Sequence, residues 1–229
     1  MIKGFIKNSF VDYPGKVAAT VFTGGCNFSC PFCHNGELVK SPGKIKTIET
    51  WEITDFLEKR KGLIDGLVIT GGEPTLWPGL RDFIVKIKNM GFSVKLDSNG
   101  YEPLVLEKLF QEGLIDYIAM DIKNSPEKYA QTAGLKTIDI SRIIKSIQLI
   151  KESGITYEFR TTVMKEFHSQ EDIIKIGEWL KGSEKYVLQN YNPKEGQVED
   201  TIFTPFSKDE LKEYKSLLSD YIKKVEIRS

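Results

Sequence analysis

The chain has 229 residues, of which 40% are hydrophobic and 28% charged, and its 32 lysines and arginines balance 32 aspartates and glutamates. This composition is typical of a globular protein, and a net charge of zero gives no basic field that would attract nucleic acid or an acidic membrane. No apolar run approaches the roughly 18 residues that span a bilayer, and residues 1–15 lack the apolar segment of a secretory signal, so we expect a cytoplasmic protein.

Short apolar runs rich in β-branched residues alternate with amphipathic helical patterns along most of the chain. Near-continuous apolar runs are typical of parallel strands that helices cover. The six runs that we predict as strands are Val17–Phe22, Leu67–Thr70, Ser93–Leu96, Tyr117–Asp121, Thr156–Val163 and Tyr186–Gln189. Helices are predicted from periodic apolar positions at 80–87 and 140–147 and from a Ser207–Glu210 capping box.

Six βα units predict one α/β domain over residues 1–229, with the parallel strands curled into a partial (β/α)6 barrel of the TIM type and the helices outside. A doubly wound open sheet is the alternative. Within the domain we expect an N-terminal extension at 1–15, a core at 16–190 and a C-terminal helical segment at 191–229. Both folds place ligands at the carboxyl ends of the strands, so unusual residues there are candidate site residues.

The three cysteines of the chain, Cys26, Cys30 and Cys33, follow the first predicted strand at the spacing C-x3-C-x2-C. An odd number so closely grouped is not a disulfide framework and indicates a metal or redox site. A [4Fe–4S] cluster normally takes four thiolates, so three would leave one iron open to a small molecule, as in open catalytic metal sites. Structural zinc with His34 as fourth ligand is the alternative, although His34 adjoins Cys33 and is badly placed to close the same tetrahedron. Three unligated buried cysteines are a further alternative.

Polar residues also close the second and third predicted strands. The segment Gly71-Gly72-Glu73-Pro74 follows the second strand, where glycines either let the backbone approach a ligand or form a strand-to-helix turn. The segment Asp97-Ser98-Asn99-Gly100 closes the third strand, and its composition equally suits a turn. Both segments lie where the fold predicts a site.

Asp121 and Lys123 close the fourth predicted strand on one face, because side chains of a strand alternate with a period of two residues. The two residues could form a simple ion pair. They could instead hold a zwitterionic amino-acid group, with Asp121 at the ammonium and Lys123 at the carboxylate. Arg160, within the fifth strand, could serve the same site or a structural salt bridge.

Phe32, an aromatic residue directly before the last cysteine, completes a pattern that resembles the signature of the radical S-adenosylmethionine (radical SAM) superfamily. The resemblance implies a [4Fe–4S] cluster on the three cysteines, whose open iron is chelated by S-adenosylmethionine (SAM). The reduced cluster would then cleave SAM into methionine and a 5′-deoxyadenosyl radical. The residues implied around SAM are Phe32 at the adenine, Gly71, Gly72 and Glu73 at the methionine, Asp97 and Ser98 at the ribose, and Arg160; the Asp121 and Lys123 pair would hold its amino-acid end.

The segment Phe10–Lys16 and the pair His34-Asn35 narrow this resemblance to activating enzymes of glycyl radical enzymes, with anaerobic (class III) ribonucleotide reductase activating proteins the most similar. The resemblance implies an oxidoreductase that takes a hydrogen atom from one glycine Cα of a partner, here the anaerobic ribonucleotide reductase large subunit. Electrons would come from a low-potential donor such as flavodoxin or ferredoxin. The alternatives are a pyruvate formate-lyase type of partner, a radical SAM enzyme acting on a small molecule, and a non-catalytic zinc module.

The chain also departs from the activase pattern. Tyr13 stands where pyruvate formate-lyase activases typically have glycine, and Gln189 and its neighbours stand where they offer a ribose-binding histidine, which leaves the second ribose contact open. His168 precedes a helix and is interpreted as a surface residue. We predict that the stretch around Tyr13 and the segment 190–195 form a rim that admits a peptide loop of the partner, because neither has an evident core role.

Overall fold

The structure is a computed structural model that describes residues 1–193 and 196–228. The strands are β1 (Ile2–Ser9), β2 (Ala18–Thr23), β3 (Gly66–Gly71), β4 (Ser93–Ser98), β5 (Tyr117–Asp121), β6 (Thr156–Val163), β7 (Lys185–Asn190) and β8 (Lys224–Arg228). The helices are α1 (Gly36–Lys40), α2 (Thr50–Glu58), α3 (Leu80–Asn89), α4 (Pro103–Gln111), α5 (Tyr129–Thr132), α6 (Ile140–Glu152), α7 (Gln170–Trp179) and α8 (Lys208–Leu218). Within the described ranges, no helix has the length and apolar character needed to cross a membrane.

The eight strands form one sheet in the order β1 to β8, so that each strand pairs with its neighbours in sequence. β1 is antiparallel to β2, and all later pairs are parallel. A doubly wound sheet would reverse its order after the first strands, whereas a barrel wall is built in sequence order. The predicted α/β partial barrel is therefore confirmed, with β2 to β7 as its six predicted strands.

Two edge strands extend the sheet beyond the prediction. β1 lies in the expected N-terminal extension, and β8 follows α8 in the segment expected to be helical. β8 adds to the sheet in parallel register, with Val225 opposite Tyr186. The predicted bounds of β5 and β6 agree with the structure to the residue, and the other four strands differ by one or two residues at their ends.

The two faces of the sheet differ in chemistry because side chains of each strand alternate between them. Apolar residues such as Leu96 and Ile118 face the helices and form the main core together with helical side chains such as Ile84. The opposite face carries many polar and charged residues, among them Lys95, Asp97, Asp121, Glu158, Arg160 and Gln189. The inside of the barrel is thus a polar wall.

The stretch between β1 and β2 lies at the amino ends of the parallel strands, because β1 runs antiparallel to β2. Tyr13 is 3% exposed in this stretch. Its ring packs edge-to-face on Tyr117 with centroids 5.9 Å apart, in a small second core with Ala18, Val68 and Ala119. The prediction that this stretch has no core role is wrong, since Tyr13 closes the inside of the barrel at the end opposite the strand carboxyl ends.

Candidate functional site

One cavity of about 650 Å³ lies at the carboxyl ends of the parallel strands and reaches Val11 and Asp12 in the stretch between β1 and β2. Loops after β2 and β3 form one wall, and side chains of β4, β5 and β6 form the other. The cavity is lined by all twelve residues that the sequence singled out: Cys26, Cys30, Phe32, Cys33, Gly71, Gly72, Glu73, Asp97, Ser98, Asp121, Lys123 and Arg160. The fold therefore brings together residues that are up to 134 positions apart, as Cys26 and Arg160 are.

The cysteine loop, residues 24–35 after β2, is held against other loops by backbone hydrogen bonds. The N–H of Ser29 donates to the carbonyl of Ala133 at 2.9 Å. Gly134 follows with φ of +68°, and a Cβ there would meet the Ser29 carbonyl oxygen at 2.0 Å, so only glycine allows this approach. Within the loop, the N–H of Cys33 donates to the carbonyl of Cys30 at 3.0 Å. The cysteine positions are thus set by packing between loops.

The three thiols are free, and burial dominates the electrostatics of Cys26 and Cys30. Burial raises the pKa of Cys26 to about 12, although the backbone N–H of Phe28 donates to its sulfur at 3.4 Å. Burial likewise raises the pKa of Cys30 to about 11, against the positive charge of Lys123. Such thiols stay protonated in the ligand-free protein and lose their protons when they bind a metal.

An unpartnered donor beside Cys26 gives a test of whether these residues fit an iron–sulfur cluster. The Oδ1 of Asn99 accepts the N–H of Tyr101 at 3.0 Å, so its Nδ2 faces Asn27 and donates to the Oδ1 of Asn27 at 2.7 Å. With the amide groups oriented in this way, Asn27 Nδ2 is buried and has no hydrogen-bond partner in the described part of the chain. The Asn99 Nδ2 also lies 3.8 Å from the Cys26 sulfur. Three thiols and two nearby amide donors suit an anionic sulfur-rich cluster.

The Gly71-Gly72-Glu73 segment joins the cysteine loop to the ends of β3 and β4. A Cβ on Gly72 would lie 2.0 Å from the carbonyl oxygen of Gly25, so glycine is required where the two loops meet. The fully buried carboxylate of Glu73 accepts the backbone N–H of Asn99 at 2.7 Å and the hydroxyl of Ser98 at 2.9 Å. Burial raises the pKa of Glu73, and these hydrogen bonds oppose the rise. The segment therefore supports the cavity wall through the close approach of Gly72 to the cysteine loop and through the hydrogen bonds that the Glu73 carboxylate accepts.

The charged chain is a row of five alternating charges across β4, β5 and β6, formed by Lys95, Asp97, Arg160, Asp121 and Lys123. Lys95 pairs with Asp97, whose other oxygen lies 3.0 Å from Arg160 Nη1. Arg160 Nε also pairs with Asp121, whose Oδ2 accepts from Lys123 Nζ at 3.0 Å. Burial alone would raise the pKa of Asp121, but Arg160 and Lys123 outweigh it and hold that pKa well below its usual range. Asp121 therefore stays ionised, and the row carries one excess positive charge.

The segment after β7 supports the cysteine loop and is partly buried, so the prediction that it has no core role is also wrong. Tyr191 is 2% exposed, and its hydroxyl donates to Gln197 at 2.9 Å. The N–H of Val198 donates to the Cys33 carbonyl at 3.2 Å. Of the segment proposed as rim, residues 194–195 lie outside the described residues.

Three residues in or next to the candidate site escape sequence reasoning or are misread by it. Lys95 is two residues before Asp97 in β4, so the period of the strand could have placed both on one face. Asn35 donates from Nδ2 to the Gly71 carbonyl at 2.7 Å, a contact between loops that no local pattern reveals. His168 is 1% exposed and contacts the Lys123 carbonyl at 2.9 Å, so its interpretation as a surface residue is wrong.

The fold and the site define a partial barrel with three cysteines and a charged cavity at the carboxyl ends of its strands. The family model of the radical SAM superfamily matches residues 20–180, and the chain belongs to that superfamily and to its class of glycyl-radical enzyme activating enzymes. A protein of Methanocaldococcus jannaschii, provisionally named a glycyl-radical enzyme activating enzyme, is 34% identical over all of this chain and 96% of its own length. The pyruvate formate-lyase-activating enzyme of Staphylococcus aureus is 25% identical over 84% of this chain and 82% of its own length.

Solved structures show the same fold. The structure of Streptococcus suis SuiB bound to S-adenosylmethionine superposes with a TM-score of 0.70 over 90% of this chain at 16% sequence identity. This chain spans about half of SuiB, 49% of its length. At that level of identity the likeness supports the barrel architecture alone.

Proposed function

We propose that this chain activates a glycyl radical enzyme by taking a hydrogen atom from one glycine Cα of that partner. The observation that carries the proposal is that three free thiols and four of the five members of the charged chain, all except Lys95, face one cavity of about 650 Å³. A [4Fe–4S] cluster bound by the thiols would supply the electron that cleaves SAM. The remaining steps depend on how residues of this chain hold SAM and admit the partner.

The charged chain is suited to the amino-acid end of SAM. Lys123 can donate to its carboxylate, and Asp121 can accept from its ammonium, because each Asp121 oxygen uses only one of its two lone-pair sites on Arg160 or Lys123. Arg160 ties Asp121 to Asp97 and so fixes both carboxylates. Glu73 uses its oxygens on backbone and side-chain donors of the protein, which makes it a positioning residue.

Asp97 and Phe32 are suited to the nucleoside end. Asp97 lies on the cavity wall next to Ser98, where a carboxylate could accept from ribose hydroxyls. Phe32 packs at 5.9 Å from Phe167 and 6.5 Å from Phe203, which gives it a fixed ring that could contact the adenine. Gln189 also lines the cavity and could take the place of a second ribose contact.

The proposed partner is the large subunit of anaerobic ribonucleotide reductase, with flavodoxin or ferredoxin as electron donor in an anaerobic cytoplasm. This choice follows the sequence Asp12-Tyr13-Pro14-Gly15. The relative from Staphylococcus aureus supports pyruvate formate-lyase as the alternative partner. A net charge of zero supports partners other than nucleic acid or membrane.

The test has two stages. Anaerobic reconstitution should give a brown protein that cleaves SAM with dithionite, and replacing Cys30 with alanine should abolish both the bound iron and the cleavage. The reconstituted protein is then mixed with each candidate partner, and the glycyl radical is measured by electron paramagnetic resonance. A radical on ribonucleotide reductase supports the proposal, and a radical on pyruvate formate-lyase alone supports the alternative partner. A colourless zinc protein, or full turnover by Cys30→Ala, would overturn the proposed function itself.

A further inference from the structure

The backbone just beyond β5 is held in an unusual way. The sheet ladder ends where the N–H of Ile122 donates to the Arg160 carbonyl at 2.8 Å. Buried backbone carbonyls need hydrogen-bond donors. At this point the three consecutive carbonyls of Asp121, Ile122 and Lys123 each accept a hydrogen bond from a buried side chain. Tyr129 Oη donates to the Asp121 carbonyl at 3.2 Å, Thr161 Oγ1 donates to the Ile122 carbonyl at 2.7 Å, and His168 Nε2 donates to the Lys123 carbonyl at 2.9 Å.

The chemistry of His168 is fixed by its surroundings. A carbonyl only accepts hydrogen bonds, so Nε2 must carry the proton that it donates to Lys123. The other nitrogen, Nδ1, lies 3.4 Å from both the backbone nitrogen and the carbonyl oxygen of Met164, and in a neutral ring it accepts from the Met164 N–H. The neutral form with hydrogen on Nε2 satisfies the donation to Lys123 and the acceptance from the Met164 N–H, and burial favours that form by lowering the pKa of His168.

The neighbouring residues show that the whole segment is attached to the loop between β6 and α7. Asn124 is fully buried, and its Nδ2 donates to the Phe167 carbonyl at 2.8 Å and to Thr132 at 2.9 Å. Phe167 in turn packs on Phe32 of the cysteine loop. The loop that carries His168 therefore contacts both walls of the cavity.

We propose that His168 is a positioning residue that holds the backbone of Lys123 so that its ammonium faces the amino-acid end of SAM. The inference rests on the proposed function, because it assumes that Lys123 binds SAM. Lys123 lies two residues beyond the end of β5, so the sheet itself does not fix it. The donation from His168 takes the place of the missing ladder bond. Sequence alone does not indicate this, since the two residues are 45 positions apart.

The test compares two uncharged replacements of similar size. In His168→Gln the amide nitrogen can take the place of Nε2 and still reach the Lys123 carbonyl. In His168→Asn the side chain is one methylene shorter, so its amide nitrogen takes the place of Nδ1 and cannot reach the Lys123 carbonyl. Binding of SAM to the anaerobically reconstituted proteins is measured by calorimetry, and folding is checked by thermal unfolding. Ser183→Ala is the matched control, because Ser183 is also a buried donor to a backbone carbonyl, that of Leu180 at 2.6 Å, and does not line the cavity.

We expect the dissociation constant of SAM to rise about tenfold in His168→Asn, equivalent to about 1.4 kcal/mol, and to stay near that of the wild type in His168→Gln and Ser183→Ala. Equal affinities of the Asn and Gln variants, whether unchanged or weakened together, would overturn the inference while the proposed function stands. Wild-type protein that binds no SAM would instead overturn the proposed function. Should both variants fail to fold, Tyr129→Phe provides a second test. It removes only the hydroxyl that donates to the Asp121 carbonyl, two residues before Lys123. Unchanged affinity for SAM in that variant would also overturn the inference.

Discussion

Lys123 and Arg160 belong to the same charged chain, but the structure predicts opposite consequences for their replacement. Lys123 stands at the end of the row and contacts Asp121 at 3.0 Å, and Asp121 keeps Arg160 when Lys123 is lost. Arg160 stands in the middle and pairs with both Asp97 and Asp121. Replacing Lys123 should therefore impair binding more than folding, and replacing Arg160 should impair folding directly.

The magnitudes follow from the number of hydrogen bonds lost. Lys123→Met removes one charge-assisted bond to SAM, worth about 1.5–3 kcal/mol, so the dissociation constant should rise roughly ten- to a hundredfold. Its free energy of unfolding should fall by only about 1 kcal/mol, because Asp121 remains paired. Arg160→Met removes two charge-assisted hydrogen bonds within the protein, to Asp97 and Asp121, and all three side chains are mostly buried. Its free energy of unfolding should therefore fall by about 3 kcal/mol.

Urea unfolding and calorimetry with SAM on the anaerobically reconstituted proteins provide the two measurements. Lys59→Met is the control, because Lys59 forms an exposed salt bridge with Asp55, and such pairs contribute about 0.5 kcal/mol or less. An unchanged dissociation constant in Lys123→Met would show that the pair with Asp121 is only structural. An equal loss of stability in both variants would refute the assignment of Arg160 as the centre of the row.

Three further predictions concern the frame of the site. Gly72→Ala places a Cβ 2.0 Å from a carbonyl oxygen of the cysteine loop and should lower the iron bound after reconstitution, whereas Gly43→Ala, with open space around it, should not. Burial would raise the pKa of Glu158, but Arg228 lowers it from 4.5 to about 2, so urea unfolding should show stability lost as pH falls from about 4.5 through about 2. This dependence on pH should become weaker in Glu158→Gln. Tyr13→Ala should cost about 3 kcal/mol or more by urea unfolding, as large buried side chains do, and a change as small as that of the exposed Val11→Ala would contradict the barrel-end role of Tyr13.

The sequence predicts the inner strands and the positions of the site because both have local signals. Strands such as Tyr117–Asp121 combine apolar residues that face the helices with a polar residue at the carboxyl end, and the fold places that end at the cavity. The cysteine spacing is likewise a local pattern. Each of these signals lies within a few consecutive residues of the chain.

The edge strands have weaker signals, for a physical reason. β1 pairs on one side only and exposes Lys7 and Asn8, so it lacks the continuous apolar run of an inner strand. β8 reads Lys224-Val225-Glu226-Ile227-Arg228, a strict alternation that is typical of a half-buried strand and could have been recognised. The burial of Tyr13 and His168 has no local signal, because each depends on residues far away in sequence.

The polar wall also explains how protein charges can favour metal binding at buried thiols. Burial raises the pKa of both Cys26 and Cys30, which opposes formation of the thiolates that bind iron. The charge of Lys123 acts in the opposite direction at both sulfurs. Since Asp121 holds Lys123 in place and keeps it protonated, the residue proposed to bind SAM also stabilises the thiolates. Lys123, at one end of the charged chain, thus serves both halves of the cavity, because its charge stabilises cysteine thiolates and could also pair with the carboxylate of SAM.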